Sequence, residues 1–159
     1  MSDGFYQKYI FPYSAIIIKI CRAYTNTEED FEDYYQEVCL QIWKSRNNFS
    51  KKAKWSTWIY KISLNTSLTL LKKKRNENIF ASNYITNNIT EENQVFSDES
   101  LNKLYDAIKQ LSEIDRAVIL LYLEDKPYKE IAEIIGTSAS NISTRVKRIK
   151  ERLKKILDG

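Results

Sequence analysis

The last third of the chain carries the pattern that most constrains the fold. Between Tyr128 and Ile149 an apolar helical segment ends at Gly136, and a second helical segment follows Ser138. Glycine suits the left-handed residue that ends a helix, and serine is a favoured N-cap. The sequence therefore predicts a helix-turn-helix. Its apolar side chains, which recur at helical spacing, are Ile131, Ala132, Ile134, Ile135, Ile142, Val146 and Ile149.

The outward-facing side chains of the second segment predict contact with DNA. They combine hydroxyl, amide and guanidinium groups, which are suited to the edges of bases in a major groove. From Ala139 to Gly159 there are seven Lys and Arg residues against two acidic ones, and this balance favours a polyanion. The candidate contacts are Ser140, Asn141, Ser143, Thr144, Arg145, Lys147 and Arg148.

The charge reverses in the first half of the chain. Residues 28–37 contain six acidic side chains and no basic one. A chain that separates its charges in this way is suited to two partner surfaces of opposite charge.

The composition predicts an all-α protein of two small helical domains. Only three glycines and two prolines occur in 159 residues, which argues against an architecture of strands and turns. Pro12, Thr27 and Ser56 are expected near the starts of helices in a first domain, residues 1–75. Residues 76–100 are rich in asparagine and lack a sustained period, so they are predicted to form a flexible linker. Residues 101–159 form the second domain.

The sequence contains little that indicates catalysis, metal binding or membrane insertion. Cys21 and Cys39 lie far apart and no histidine is present, so neither a zinc site nor a cofactor is predicted, and both thiols are expected to be buried. The longest aliphatic run, residues 15–18, is too short to span a bilayer, and no signal segment is evident. We therefore expect a cytoplasmic protein that is not an enzyme.

Three phrases of the sequence, taken in order, resemble the sigma-70 family of bacterial transcription initiation factors. They are Asp30–Trp43, Trp55–Asn65 with the Lys72–Arg75 cluster, and Leu111–Val118 with the helix-turn-helix. Their order, spacing and two-domain length are similar to the extracytoplasmic-function (ECF, group IV) type. The resemblance implies an alternative sigma factor that directs core RNA polymerase to promoters.

For the first domain, the resemblance implies two surfaces. An acidic helix face would dock on a coiled coil of the largest polymerase subunit. The polymerase flap is implied as a further contact of the chain, without assignment to either domain. A second surface would bind and melt the −10 promoter element, with cations on phosphates and aromatic rings against bases. For Trp55 a core position is an equally open alternative, and for Trp58 a position largely in the core is the favoured one. The docking residues are Asp33, Gln36, Glu37 and Gln41. The melting residues are Lys51, Lys52, Lys54, Trp55, Trp58, Tyr60, Asn65, Lys72, Lys73, Lys74 and Arg75.

For the second domain, the resemblance implies recognition of the −35 element by the helix that carries Arg145, with Arg116 among the phosphate contacts. Promoter DNA and core polymerase are the implied partners, and an anti-sigma factor is left open as another. Two other hypotheses compete with this one. A free-standing helix-turn-helix regulator leaves the acidic helix unexplained, and a DNA-processing enzyme lacks a nucleophile or metal-ligand cluster.

Overall fold

The computed structural model describes residues 3–50, 52–81 and 99–159, and every regular element in those ranges is helical. This confirms the all-α class. None of these helices combines the length and the apolar character that a bilayer crossing requires. The elements are α1 (Asp3–Phe5), a π turn (Tyr6–Ile10), a 3-10 turn (Phe11–Tyr13), α2 (Ser14–Ala23), α3 (Glu28–Ser45), a 3-10 turn (Arg46–Asn48), α4 (Trp55–Ala81), α5 (Glu99–Lys109), α6 (Glu113–Leu123), α7 (Tyr128–Ile135) and α8 (Ala139–Asp158).

The start of α3 follows the sequence prediction, whereas the start and end of α4 do not. Thr27 accepts a hydrogen bond from the backbone N–H of Asp30 at 3.1 Å, as an N-cap should. The prediction that Ser56 caps α4 is wrong, because the helix already begins at Trp55. Residues 76–81, predicted to be linker, continue α4, and Glu99 and Ser100 open α5. The rest of the predicted linker, 82–98, lies outside the described residues.

The core of the first domain is formed where α2, α3 and α4 meet. Ile17, Val38 and Ile59 are fully buried there. Cys21 and Cys39 are buried in the same core, as predicted. Burial raises the pKa of the Cys21 thiol to about 12 and that of Cys39 to about 11. Because the thiolate is the reactive form, both side chains act as small core residues.

The second domain confirms the helix-turn-helix. Gly136 ends α7 in the left-handed conformation, with φ 90° and ψ 42°. Ser138 caps α8 by accepting a hydrogen bond from the N–H of Asn141 at 3.1 Å. Ile131 on α7 and Ile142 on α8 are fully buried between the helices.

The two domains pack directly on one another. The Tyr24 hydroxyl donates to the carbonyl of Glu113 at 2.7 Å, and Thr57 Oγ1 donates to Glu130 Oε1 at 2.7 Å. Lys19 forms an ion pair with Glu124 across the same interface. These contacts join α2 to α6 and set α7 against α4, so the buried side chains of both domains form one cluster.

We predict that Gly136→Ala destabilises the chain by about 1 kcal/mol, because an L-residue is strained at a left-handed position. A Cβ at this site would meet no atom within 4 Å, so the cost would arise from the backbone and not from a clash. Urea unfolding followed by circular dichroism would measure it. Gly136→Asn is the matched control and should cost less, since asparagine tolerates this conformation. Equal stability of the alanine variant and the native chain would contradict the prediction.

Candidate functional site

The predicted docking residues lie on one outward face of α3. Asp33 and Gln36 are exposed, and Glu37 and Gln41 are half-buried. Gln41 Nε2 donates to Glu37 Oε1 at 2.8 Å, which fixes the two side chains relative to each other. Asp30 instead forms an ion pair with Lys74 of α4. The acidic face available to a partner is therefore narrower than the run of acids in the sequence suggests.

Leu40 lies on the same face, and the sequence reasoning missed it. Leu40 is 37% exposed, although α3 packs into the core of the first domain. Helical spacing of three and four residues from Glu37 and Gln36 was the signal that could have identified it. The face therefore combines charge at its rim with an apolar residue near its centre.

Two of the three aromatic residues predicted for DNA opening, Trp55 and Trp58, form a connected cluster with Phe49. The rings of Trp55 and Trp58 have centroids 4.7 Å apart, and Phe49 meets both edge-on at 5.0 and 5.6 Å. Trp55 Nε1 donates to the carbonyl of Tyr9 at 2.8 Å. Both tryptophans are half-buried. Each ring thus packs against the domain on one side and keeps an open edge.

The polar and cationic residues predicted for DNA opening differ in their availability. Lys52 and Lys54 are exposed beside Trp55, whereas Lys51 lies outside the described residues. On α4, Asn65, Lys72 and Lys73 are exposed. The other two members of the basic Lys72–Arg75 run form ion pairs: Lys74 with Asp30, and Arg75 with Glu113.

Tyr60 is covered by the second domain. Tyr60 is only 6% exposed, and the Lys126 ammonium lies 4.7 Å from the centroid of the Tyr60 ring. Burial raises the pKa of its hydroxyl. The neighbouring Thr57–Glu130 hydrogen bond holds α7 over the same part of α4. A base can therefore stack on Tyr60 only after α7 has moved away.

The predicted recognition residues of the second domain lie on the N-terminal part of α8. Arg145 is half-buried, because its guanidinium donates to Asp115 Oδ1 at 3.0 Å and to Asn141 Oδ1 at 2.9 Å. Arg148 approaches the same Asp115 carboxylate at 3.6 Å. Asp115, an acid in the first turn of α6, thus orients two predicted contacts. The exposed members of the surface are Ser140, Asn141, Ser143, Thr144, Lys147 and Arg148.

The prediction that Arg116 contacts phosphate is wrong in this structure. Its guanidinium donates to the carbonyls of Lys109 at 2.7 Å, Leu111 at 3.1 Å and Ala23 at 3.3 Å. Carbonyls at the end of a helix lack intrahelical partners, and a buried cation satisfies them well. Burial lowers the pKa of Arg116. This arginine is part of the domain interface.

Family models match both domains. The model of sigma-70 region 2 matches residues 12–77, and that of sigma-70 region 4 matches residues 101–153. Together the two matches cover most of the chain. The first contains the acidic face and the aromatic cluster, and the second contains the helix-turn-helix.

Individual proteins agree with these matches. The RNA polymerase sigma factor SigZ of Bacillus subtilis is 30% identical over 135 residues, covering 84% of this chain and 76% of the relative. The ECF RNA polymerase sigma factor SigW of the same organism is 26% identical over 158 residues, covering 91% and 84%. The fold matches that of the sigma factor RpoE from Bartonella quintana, solved in complex with the anti-sigma factor NepR. The TM-score is 0.80 at 20% identity, over 99% of this chain and 98% of that one.

The chain therefore belongs to the sigma-70 family, as an extracytoplasmic-function sigma factor. Its function is that of an alternative sigma factor, which directs promoter recognition at the start of transcription. The free-standing regulator considered from the sequence gains no support from these matches.

We predict that Thr57→Val destabilises the chain by about 1–2 kcal/mol, because the half-buried Glu130 carboxylate loses its hydroxyl donor. Valine keeps the shape of the side chain, so loss of packing contributes little. Urea unfolding would measure the change. Thr69→Val, at an exposed position of the same helix, is the control for helix propensity. Equal effects of the two substitutions would show that this domain contact adds no stability.

Proposed function

We propose that this chain docks on core RNA polymerase through α3, opens the −10 element at the aromatic cluster of the first domain, and reads the −35 element with α8. The observation that carries the proposal is the presence of an exposed acidic helix face and an exposed basic recognition helix on two domains of one chain. A regulator that binds only DNA has no use for the first of these surfaces. The proposal also holds that the chain has no catalytic chemistry of its own and acts in the cytoplasm.

The docking step is supported by the chemistry of the α3 face. Asp33, Gln36, Glu37 and Gln41 offer carboxylates and amides to a basic surface, and Leu40 adds an apolar centre. Charges at the rim of an interface steer the encounter and fix its register, while desolvated apolar residues contribute more to affinity. The proposed partner surface is a coiled coil of the largest polymerase subunit, and the flap is proposed as a second contact.

The opening step is supported by the aromatic cluster and the lysines beside it. Lys52 and Lys54 can hold phosphates while the open edges of Trp55 and Trp58 contact displaced bases. Lys51, Lys72 and Lys73 are proposed as further phosphate contacts, and Asn65 as a polar contact. Stacking of a base on an aromatic side chain is typically worth about 1–3 kcal/mol. Capture of unpaired bases could thus drive strand separation without nucleotide hydrolysis.

The reading step is supported by the geometry around Asp115. A carboxylate that holds Arg145 and Arg148 on one side of α8 restricts their rotamers before DNA arrives. An arginine fixed in this way loses less conformational entropy when it pairs with a guanine. The hydroxyls of Ser140, Ser143 and Thr144, with Asn141 and Lys147, complete the proposed contact surface.

An anti-sigma factor is proposed as a regulatory partner. The sigma factor RpoE, whose fold this chain shares, was solved in complex with one. The packing of the two domains against each other supports control by an anti-sigma factor, because Lys126, in the turn before α7, covers the ring of Tyr60. A protein that holds the domains together would keep that residue from DNA.

We predict that the purified chain co-migrates with bacterial core RNA polymerase on size exclusion, and that Asp33→Lys with Glu37→Lys weakens the complex at least about tenfold. The reversed charges would repel a basic partner surface. Leu40→Ala should also weaken the complex, through loss of apolar contact.

Glu151→Lys with Asp158→Lys is the matched control for docking. Both are exposed acids of α8, in the second domain, and reversing them changes the net charge by the same amount. This control should leave the polymerase complex unchanged. Equal weakening by the control would mean that net charge alone causes the effect, and undiminished binding of the α3 double variant would reject the proposed face.

We predict that Arg145→Ala lowers discrimination at one base pair of the −35 element by about 1–3 kcal/mol and leaves polymerase binding intact. Arg145→Lys should lose the same discrimination, because an ammonium cannot pair in a forked geometry. Competition among promoter variants for the reconstituted holoenzyme would measure this. Lys154→Ala, on the last turns of the same helix, is the control. An unchanged ranking of promoter variants would remove Arg145 from the contact surface.

A further inference from the structure

Residues 5–10, here called the N-terminal turn, pack against the aromatic cluster, although they precede the segment that matches sigma-70 region 2. That match begins at residue 12. Phe5 meets Trp43 edge-on at 5.1 Å and Trp55 at 6.4 Å. Trp55 Nε1 donates to the carbonyl of Tyr9, whose ring lies 5.7 Å from that of Trp55. The N-terminal turn therefore forms one side of the surface proposed to open DNA, which consists of the aromatic cluster with Lys52 and Lys54.

One aromatic side chain of the N-terminal turn, that of Tyr9, is open to solvent. Tyr9 is 40% exposed, while the adjacent Ile10 is fully buried and anchors the turn. The exposed Lys8 places its ammonium 5.3 Å from the centroid of the Tyr9 ring. Exposed Lys54 precedes Trp55 directly in the chain. An open aromatic ring flanked by lysines is suited to single-stranded nucleic acid, which offers flat bases and phosphates together.

This part of the surface stays accessible while the domains are packed. The second domain meets α4 through Thr57 and Tyr60, which its α7 side covers. Tyr9 keeps its 40% exposure in that same arrangement, and Trp55 remains half-exposed. A single strand can thus reach Tyr9 without prior separation of the domains.

We propose that Tyr9 and Lys8 bind single-stranded DNA, with an unpaired base on the Tyr9 ring and a phosphate at the Lys8 ammonium. The inference rests on the proposed opening function and extends its surface beyond the matched family segment. The N-terminal turn then serves two roles, since its backbone fixes Trp55 and its side chains contact the strand.

The test is the binding of a fluorescently labelled oligothymidylate to the full chain, followed by anisotropy over a range of salt concentrations. Tyr9→Ala should weaken binding about fivefold or more, whereas Tyr9→Phe, which keeps the ring, should bind as the native chain does. Lys8→Gln should lower the log–log salt slope by about 0.7, as expected for one lost phosphate contact on a single strand. Binding of a duplex of the same length should not change with Tyr9→Ala.

Phe11→Ala is the matched control. Phe11 is a 55% exposed aromatic residue just after the same turn, and its ring neighbours Tyr6 at 6.3 Å. It should leave oligothymidylate binding unchanged. Thermal unfolding of each variant would show whether the aromatic cluster remains folded. If Tyr9→Ala binds as tightly as the native chain, if Phe11→Ala weakens binding equally, or if single-strand and duplex binding fall together, the inference is overturned.

A paired variant separates this inference from the proposed function. Lys52→Gln with Lys54→Gln removes cations of the opening surface that lie outside the N-terminal turn. If this variant loses single-strand affinity and Tyr9→Ala does not, only the role of Tyr9 is rejected. If the native chain does not bind the single strand, or if neither variant changes its affinity, the opening surface itself is contradicted.

Discussion

The arrangement of the molecule depends on the turn between α5 and α6. There the Arg116 guanidinium donates to carbonyls of both domains, and the Glu113 carbonyl accepts from the Tyr24 hydroxyl. A half-buried cation with several carbonyl partners is costly to leave unpaired, so these contacts resist being broken singly. They hold α2 against the second domain, which leaves α7 over Thr57 and Tyr60. These contacts therefore determine which residues of α4 are covered by the second domain and which remain exposed.

The sequence predicted the local structure well, because capping and periodicity are local properties. Thr27, Ser138 and Gly136 perform the backbone roles that their residue types indicated. Two of the errors involve contacts between segments distant in sequence. Arg116 has the charge of a phosphate contact, but it donates to nearby carbonyls and to the carbonyl of Ala23 at the end of α2. Tyr60 lies beneath Lys126 of the second domain. No spacing within one segment could reveal either contact. The Ser56 error was local, since α4 begins at Trp55.

Some charged residues stabilise the fold by forming ion pairs within the molecule, and others remain exposed to a partner. Asp30 and Arg75 belong to conspicuous runs of like charge, yet each pairs within the molecule. The remaining exposed charges leave α3 acidic and α8 basic. Asp115 has both roles. Its carboxylate pairs with Arg145 within the molecule and thereby orients that side chain on the proposed recognition surface. A run of charge in the sequence therefore overstates the surface that a partner meets.

The most direct test of the central claim is transcription in vitro with bacterial core RNA polymerase and genomic DNA fragments, with and without this chain. The account predicts start sites that appear only when the chain is present, each preceded by the same pair of sequence elements at a fixed spacing. DNA binding by the chain alone, with no new start site from the reconstituted enzyme, would contradict it.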